Sequence, residues 1–269
     1  MPELAEVEIT RRQLLHWWQG KSAQDVEVLD DKLLSESSLE HLEALSSTLE
    51  DITRRGKYLV LCFEDGLFGV LHLRMTGRIA PSTDAKLKYT RFSVQMRDDF
   101  WICFEDSRRL GTLTLTDEDP LTHHPRLKTM GPEPHDIKDG HELKTLLGTT
   151  KRRLKDALLD QNIIAGVGNI AISELFFDVG IHPEVRAHEV SLDKLDLLVE
   201  AMPPYFDALI DAQPVDVPME YINQGGDVEN PFVVYDHEGE ECPKCKSDTI
   251  ARLTFGGRST YYCPTCQPV

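Results

Sequence analysis

The chain has 269 residues, 41% hydrophobic and 28% charged, the balance of an ordinary soluble globular protein with room for about two domains. Its 46 acidic against 29 basic residues give a formal net charge of −17, which excludes whole-molecule attraction to phosphate. A locally basic face stays available, because a Debye length of about 8 Å hides distant charge.

The start, Met1-Pro2-Glu3-Leu4-Ala5-Glu6-Val7-Glu8, has neither the basic region nor the apolar run of a secretion signal. Removal of the initiator Met would leave Pro2 as a secondary amine. An α-amino group titrates roughly two units below a lysine side chain and attacks electrophilic carbon when unprotonated. Glu3 can supply general acid and base chemistry beside it. The same residues equally suit a plain helix start, with Pro in the first turn. From Glu3 to Trp18, the apolar Leu4, Val7, Leu14, Leu15 and Trp18 fall on one helical face.

Strands are predicted at Val26–Leu29, Thr48–Thr53, Tyr58–Phe63, Leu67–Leu73, Tyr89–Met96 and Phe100–Asp106. Asp65-Gly66 reads as a hairpin turn and Asp98-Asp99 as the link between the last two strands. After one N-terminal helix the first half is therefore β, with strands at sandwich-like spacing. Cys62 and Cys103 lie alone in such strands and read as reduced core residues. The Pro-rich stretch Pro120–Pro134 reads as an interdomain connection; its His123-His124 has no second ligand pair at zinc spacing.

The second half carries helical periodicity at Glu142–Leu147, Lys151–Leu159, Ile170–Phe177 and Leu192–Ile210. Lys151-Arg152-Arg153-Leu154-Lys155 leads through a turn with Gly166 and Gly168 into a helix opened by Asn169. Exposed N–H groups at such a helix start favour an anion, although a tight helical corner with a solvated basic face fits equally well. Arg54-Arg55-Gly56-Lys57 and Arg108-Arg109 are further basic clusters at strand ends, and together with 151–155 they could track phosphates.

The C-terminal end carries the most specific signal. Cys242-Pro243-Lys244-Cys245 and Cys263-Pro264-Thr265-Cys266 are separated by 17 residues, the spacing of a four-thiolate zinc site. Four soft ligands leave no open position, so one structural zinc organising a hairpin is expected, and zinc-dependent hydrolysis is not. Gly256-Gly257 would place Arg258 at the tip of that hairpin.

Taken in order, MPELAEVE, RRGKYL, HLRMTG, DSRRLG, GPEP, the LLDQ and GVGN segment and GGRSTYYCPTCQ make the chain similar, almost end to end, to the formamidopyrimidine-DNA glycosylase and endonuclease VIII family. The resemblance implies an N-terminal β-sandwich with a leading helix, a helix–two-turns–helix DNA-binding domain and a C-terminal zinc-finger hairpin. The expected division is 1–130 for the sandwich, 131–148 for a linker, 149–235 for the helical domain and 236–269 for the zinc finger. It also implies a cytoplasmic, monomeric base-excision enzyme of bacterial type that removes oxidised bases from double-stranded DNA and cleaves abasic sites by β,δ-elimination, with no membrane partner. Pro2 would attack C1′ of the damaged nucleotide, Glu3 would shuttle protons and Lys57 would meet the adjacent phosphate. Asn169 and Arg258 would grip phosphates, with Lys155 close by. Met75, Arg108 and Leu110 would fill the vacated space in the duplex, with Arg109 beside them at the DNA.

The alternative is a DNA-damage binding protein of the same fold without catalysis, but it would not need Pro2, Glu3 and Lys57 together. The sequence departs from the family pattern at Ala5, Arg74, Leu110 and Ala171. It departs most in residues 213–235, where Gly225-Gly226-Asp227 is a faint echo of the lesion-capping segment. The choice of damaged base is therefore left open.

Overall fold

The computed structural model describes residues 2–34, 36–97, 100–219 and 230–269. The Asp98-Asp99 link and the Gly225-Gly226-Asp227 echo lie outside the described residues. The first element, α1 (Leu4–Trp18), is started by a reciprocal capping box. The Glu3 carboxylate accepts from the backbone N–H of Glu6, while the Glu3 N–H donates to the Glu6 carboxylate at 2.8 Å. An acid thus fills the role usually taken by Ser or Thr. The apolar face anticipated from the sequence is inside, with Leu4, Val7, Leu14 and Trp18 essentially buried.

Eight strands follow: β1 (Asp25–Val28), β2 (Leu49–Arg55), β3 (Tyr58–Phe63), β4 (Phe68–His72), β5 (Arg78–Ser82), β6 (Thr90–Gln95), β7 (Trp101–Glu105) and β8 (Thr112–Thr116). They form two four-stranded antiparallel sheets, β1-β6-β7-β5 and β2-β3-β4-β8. Leu59, Leu61 and Leu71 of one sheet share a single core with Phe92, Val94, Ile102 and Phe104 of the other, and α1 adds Leu14 and Trp18 to it. This is the expected β-sandwich with a leading helix. Two of its strands were not anticipated, and both are edges: β5 contains Pro81, which an edge strand tolerates because one side of its backbone needs no ladder partner.

The remaining helices are α2 (Pro120–His123), α3 (Gly140–Leu147), α4 (Leu154–Leu158), α5 (Asn169–Val179) and α6 (Leu192–Asp211), before the hairpin β9 (Ala251–Phe255) and β10 (Arg258–Tyr262). The chain divides into two compact units, Met1–Thr129 with Leu209–Val228, and Met130–Ala208 with Glu229–Val269. Within residues 131–148, where helical periodicity is expected at Glu142–Leu147, Asp139 caps α3 by accepting from Glu142 N–H at 2.8 Å, and Leu143 and Leu147 are buried. The basic segment also yields a shorter helix than its periodicity suggested, because Arg153 has extended backbone and helix begins only at Leu154.

Within the sandwich, β4 turns back into β5 through a close backbone approach at Gly77. A Cβ there would stand 2.3 Å from the carbonyl oxygen of Leu73 and 2.9 Å from the Phe104 ring. Gly77→Ala should lower stability by about 1–3 kcal/mol, the usual cost of overpacking. A urea titration checks this, and an unchanged midpoint would mean that the turn opens without strain.

Candidate active site and zinc centre

Three contacts seat α1 antiparallel along β2. Near the end of the helix the Gln19 side chain donates to Glu50 O at 3.0 Å, in the middle Arg11 donates to Ile52 O at 3.1 Å, and near the start Arg54 donates to the Glu8 carboxylate at 3.2 Å. Glu8 also accepts from Arg11 at 2.8 Å and from Arg12 at 3.2 Å. Burial alone would push the Glu8 carboxyl up, but Arg11, Arg54 and Arg12 bring it below the ordinary carboxylate range. Continuing this register, Pro2 and Glu3 lie toward the β2–β3 turn that carries Gly56 and Lys57. Pro2, Glu3 and Lys57 are all buried. Burial and the neighbouring Glu3 raise the pKa of Glu6, so a carboxyl that holds its proton more tightly than usual sits behind the N-terminal pair.

The pairing across the sheet extends this site. Arg55 is opposite Tyr58, Tyr58 opposite His72, and His72 opposite Thr112. Residues just beyond this row therefore leave the same end of the sheet: Lys57 before β3, Arg74 and Met75 after β4, and Leu110 and Gly111 before β8. His72 supports one of these exits by accepting from Arg74 N–H at 2.9 Å, where Arg74 is left-handed at φ 56°. Asp106 supports another: its carboxylate accepts from the backbone of Arg108 at 3.2 Å and of Leu110 and Gly111 at 2.7 Å, and from the Thr76 hydroxyl. One buried acid thus ties the Met75 turn to the Arg108–Leu110 loop. Met75 and Leu110 remain 40% and 44% exposed, and Arg108 is exposed as well.

Two basic residues expected at DNA are engaged within the protein. The Arg109 guanidinium donates to both oxygens of the buried Asp30 carboxylate, at 2.6 and 2.7 Å, and this pairing holds Asp30 below the ordinary range. Arg54 spans Glu8 and the Gly56 carbonyl, shaping the turn before Lys57. Arg109 neutralises a buried carboxylate and Arg54 a half-buried one, and leaving Asp30 alone would be costly.

In the second unit, α4, α5 and the hairpin meet at Ser259. Asn169 Nδ2 donates to the Ser259 carbonyl at 2.8 Å, and Lys155 Nζ donates to the same oxygen at 3.4 Å and to the Thr260 hydroxyl. Lys155 is 1% exposed, so its ammonium serves the hairpin. Arg258 is exposed just past Gly256 and Gly257, whose φ values of 54° and 75° suit a two-residue turn of the mirror-image type. The sulfurs of Cys242, Cys245, Cys263 and Cys266 lie within 4.8 Å of one another, with two pairs at 3.7 Å. A tetrahedron with zinc–sulfur bonds of about 2.3 Å has edges of about 3.8 Å, so the four thiols fit that ion.

Three family models match successive parts of the chain. They are the formamidopyrimidine-DNA glycosylase N-terminal domain over residues 1–113, the H2TH domain of the same enzyme over 130–212, and the zinc finger found in FPG and IleRS over 239–269. A formamidopyrimidine-DNA glycosylase of Shouchella clausii is 34% identical over 277 residues, covering 100% of this chain and 99% of that protein. The chain belongs to the formamidopyrimidine-DNA glycosylase family. A relative from Methylococcus capsulatus is 35% identical over 274 residues, covering 99% of this chain and 100% of its own. A Lactococcus lactis member in complex with abasic-site DNA superposes with a TM-score of 0.87 at 27% identity, over 99% of this chain and 100% of that one. The same enzyme with a Fapy-dG-containing DNA gives 0.87 at 28%, over the same shares.

As a member of this family the chain is a base-excision-repair DNA glycosylase with AP lyase activity, and its four cysteines form the site of one structural zinc. Some residues that shape the glycosylase fold escaped the sequence reading. Glu174, buried in α5, accepts from three successive backbone groups, Val233 N–H at 2.7 Å, Val234 N–H at 2.9 Å and Tyr235 N–H at 2.8 Å, and so anchors the approach to the zinc finger. A lone acid amid Ile172, Leu175, Phe176 and Phe177 was the available signal. Asp106 was visible only as the first letter of a motif, and Asp30 carried no signal.

Two outcomes follow from these sites. Burial, then the charges of Arg74 and Lys57, push the His72 pKa down to about 3. Below the unfolded value of about 6.5 the unfolded chain binds a proton that the native chain refuses. His72 therefore contributes stability fully above that pH, and the contribution is lost as pH falls toward 3. His72→Asn, which keeps an acceptor for Arg74, should flatten the acid limb by up to about 1.4 kcal/mol per pH unit; urea titrations across pH 4 to 7 check it, and an unaltered limb would refute the assignment. Cys245→Ser should lose the zinc and weaken DNA binding while the sandwich keeps its melting transition, as metal analysis and calorimetry would report.

Proposed function

We propose that Pro2, exposed by removal of Met1, is the nucleophile that attacks C1′ of the damaged nucleotide while the base departs with the glycosidic electron pair. A secondary amine bonded to C1′ cannot shed a further N–H, so the product is an iminium cation that acidifies C2′ for elimination of the 3′ phosphate and then, through the new conjugated double bond, C4′ for elimination of the 5′ phosphate. Glu3 moves the protons: to the ring oxygen as the sugar opens, and from C2′ in the first elimination. What carries this reading is the antiparallel seating of α1 on β2, which turns the capped N-terminus toward Lys57. Lys57 meets the phosphate beside the lesion, Met75, Arg108 and Leu110 enter the vacated stack, and Asn169 and Arg258 hold phosphates. The engagement of Arg109 by Asp30 and of Lys155 by the hairpin favours positioning roles for both.

The partner is damaged double-stranded DNA, met by one copy of the chain in the bacterial cytoplasm. Relatives are named for formamidopyrimidines, and a solved relative carries abasic-site DNA. For this chain we infer oxidised purines and abasic sites as substrates. Ring-opened purines stack poorly and cost less to extrude than 8-oxoguanine, so they make smaller demands on base reading.

Borohydride reduction on an abasic duplex should give a crosslink that peptide mapping places on Pro2, with Met1 absent. A crosslink on a lysine would overturn the assignment. Glu3→Gln should slow excision by about 10²–10⁴-fold. On matched duplexes, single-turnover excision of formamidopyrimidine should be at least as fast as that of 8-oxoguanine opposite cytosine; a clear preference for 8-oxoguanine would contradict the extrusion argument.

A further inference from the structure

We infer that Arg153 is a positioning residue for the phosphate grip: by stacking on Phe255 it holds the tip of the zinc hairpin and so sets the place of Arg258. The inference rests on the reading of Arg258 as a phosphate contact. The Arg153 guanidinium carbon lies 4.0 Å from the centre of the Phe255 ring, a close cation–π contact. Its Nε donates to Asp156 at 2.7 Å, and the Arg153 backbone is bridged to Arg186. The cation is thus held on two sides before it meets the ring, and its charge is offset by Asp156.

The ring in turn belongs to the residue that matters most for the tip. Phe255 is the last residue of β9 and pairs directly with Arg258, the first of β10. Directly opposed side chains share a face of the ribbon, so the stack on Phe255 lies on the face from which Arg258 leaves. Between them Gly256 and Gly257 project into open space, where an added Cβ would meet nothing within 4 Å. The turn therefore offers no side-chain support of its own. On β10, Asn169 and Lys155 hold Ser259 and Thr260 by polar contacts. On β9, the Arg153 stack supplies the matching hold, and a two-stranded ribbon gripped on both strands cannot twist freely about one.

The test uses Phe255→Leu, which carries no charge change, in the zinc-loaded protein, with metal content and melting temperature certifying the hairpin. Binding to a duplex with a tetrahydrofuran abasic analogue is measured across a salt series. Phe255→Leu and Arg153→Gln should each weaken affinity by about threefold to tenfold. Each should also lower the slope of log affinity against log salt by about 0.9, the signature of one lost phosphate contact. In an Arg258→Ala background neither should have any further effect. The inference is overturned if Phe255→Leu leaves affinity and slope unchanged, or keeps its full effect without Arg258. It is overturned too if Arg153→Gln lowers the slope while Phe255→Leu does not, or lowers it further in the Arg258→Ala background, which would make Arg153 itself a phosphate ligand. If Arg258→Ala alone leaves the slope intact, the phosphate reading of Arg258 fails first, and the inference loses its ground.

Discussion

Much of the first unit depends on one carboxylate. Glu8 collects Arg11, Arg12 and Arg54 and so locks the direction of α1 along β2. Helix direction decides where the chain start goes: were α1 reversed, Pro2 would stand beside the beginning of β2, far along the strand from Lys57. The capping box completes the arrangement, because it fixes the Glu3 carboxylate on the first turn of the helix, directly after Pro2. Pro2, Glu3 and Lys57 thus come toward one end of a sheet through a single half-buried ion cluster, stabilised because each of its charges has several partners.

A similar economy explains how so acidic a chain handles DNA. Several of the arginines that look like a phosphate-tracking groove in the sequence neutralise acids of the protein instead: Arg54 with Glu8, Arg109 with Asp30, Arg152 with Asp160 and Arg153 with Asp156. Their value lies in shaping loops. Arg109 is left-handed at φ 56°, a conformation that its paired side chain helps to hold, and its neighbours Arg108 and Leu110 are thereby aimed outward. Arg258 is exposed and forms no ion pair among the described residues.

The zinc hairpin is too small to stabilise itself by apolar burial alone. Its core comprises Phe177, Val234, Ile250 and Tyr261 with the cysteines. Metal ligation supplies the missing stability, and the surrounding polar contacts set orientation: Gln267 accepts from Cys263 N–H at 3.0 Å and donates to Ile181 O at 2.7 Å, joining the metal knuckle to the helical part of the same unit. The cysteines hold the knuckles, Glu174 holds the segment that leads into the finger and Lys155 holds β10, so the hairpin is determined more tightly than its length would suggest.

What the sequence alone determined is whatever short-range chemistry dictates. The two Cys-x-x-Cys pairs announce a metal because four thiolates at that spacing have one common use. Helical and strand periodicities place α1, α6 and six strands, because burial of one face repeats along the chain. Gly256-Gly257 marks a turn, because only glycine takes two successive positive φ values without cost. The tertiary structure alone decided which charges are spent inside the protein. Arg54 meets Glu8 across 46 residues, Arg109 meets Asp30 across 79, and Lys155 reaches Ser259 across 104. No local pattern encodes such pairings; they exist because packing brings distant segments together and a buried charge must then find a partner.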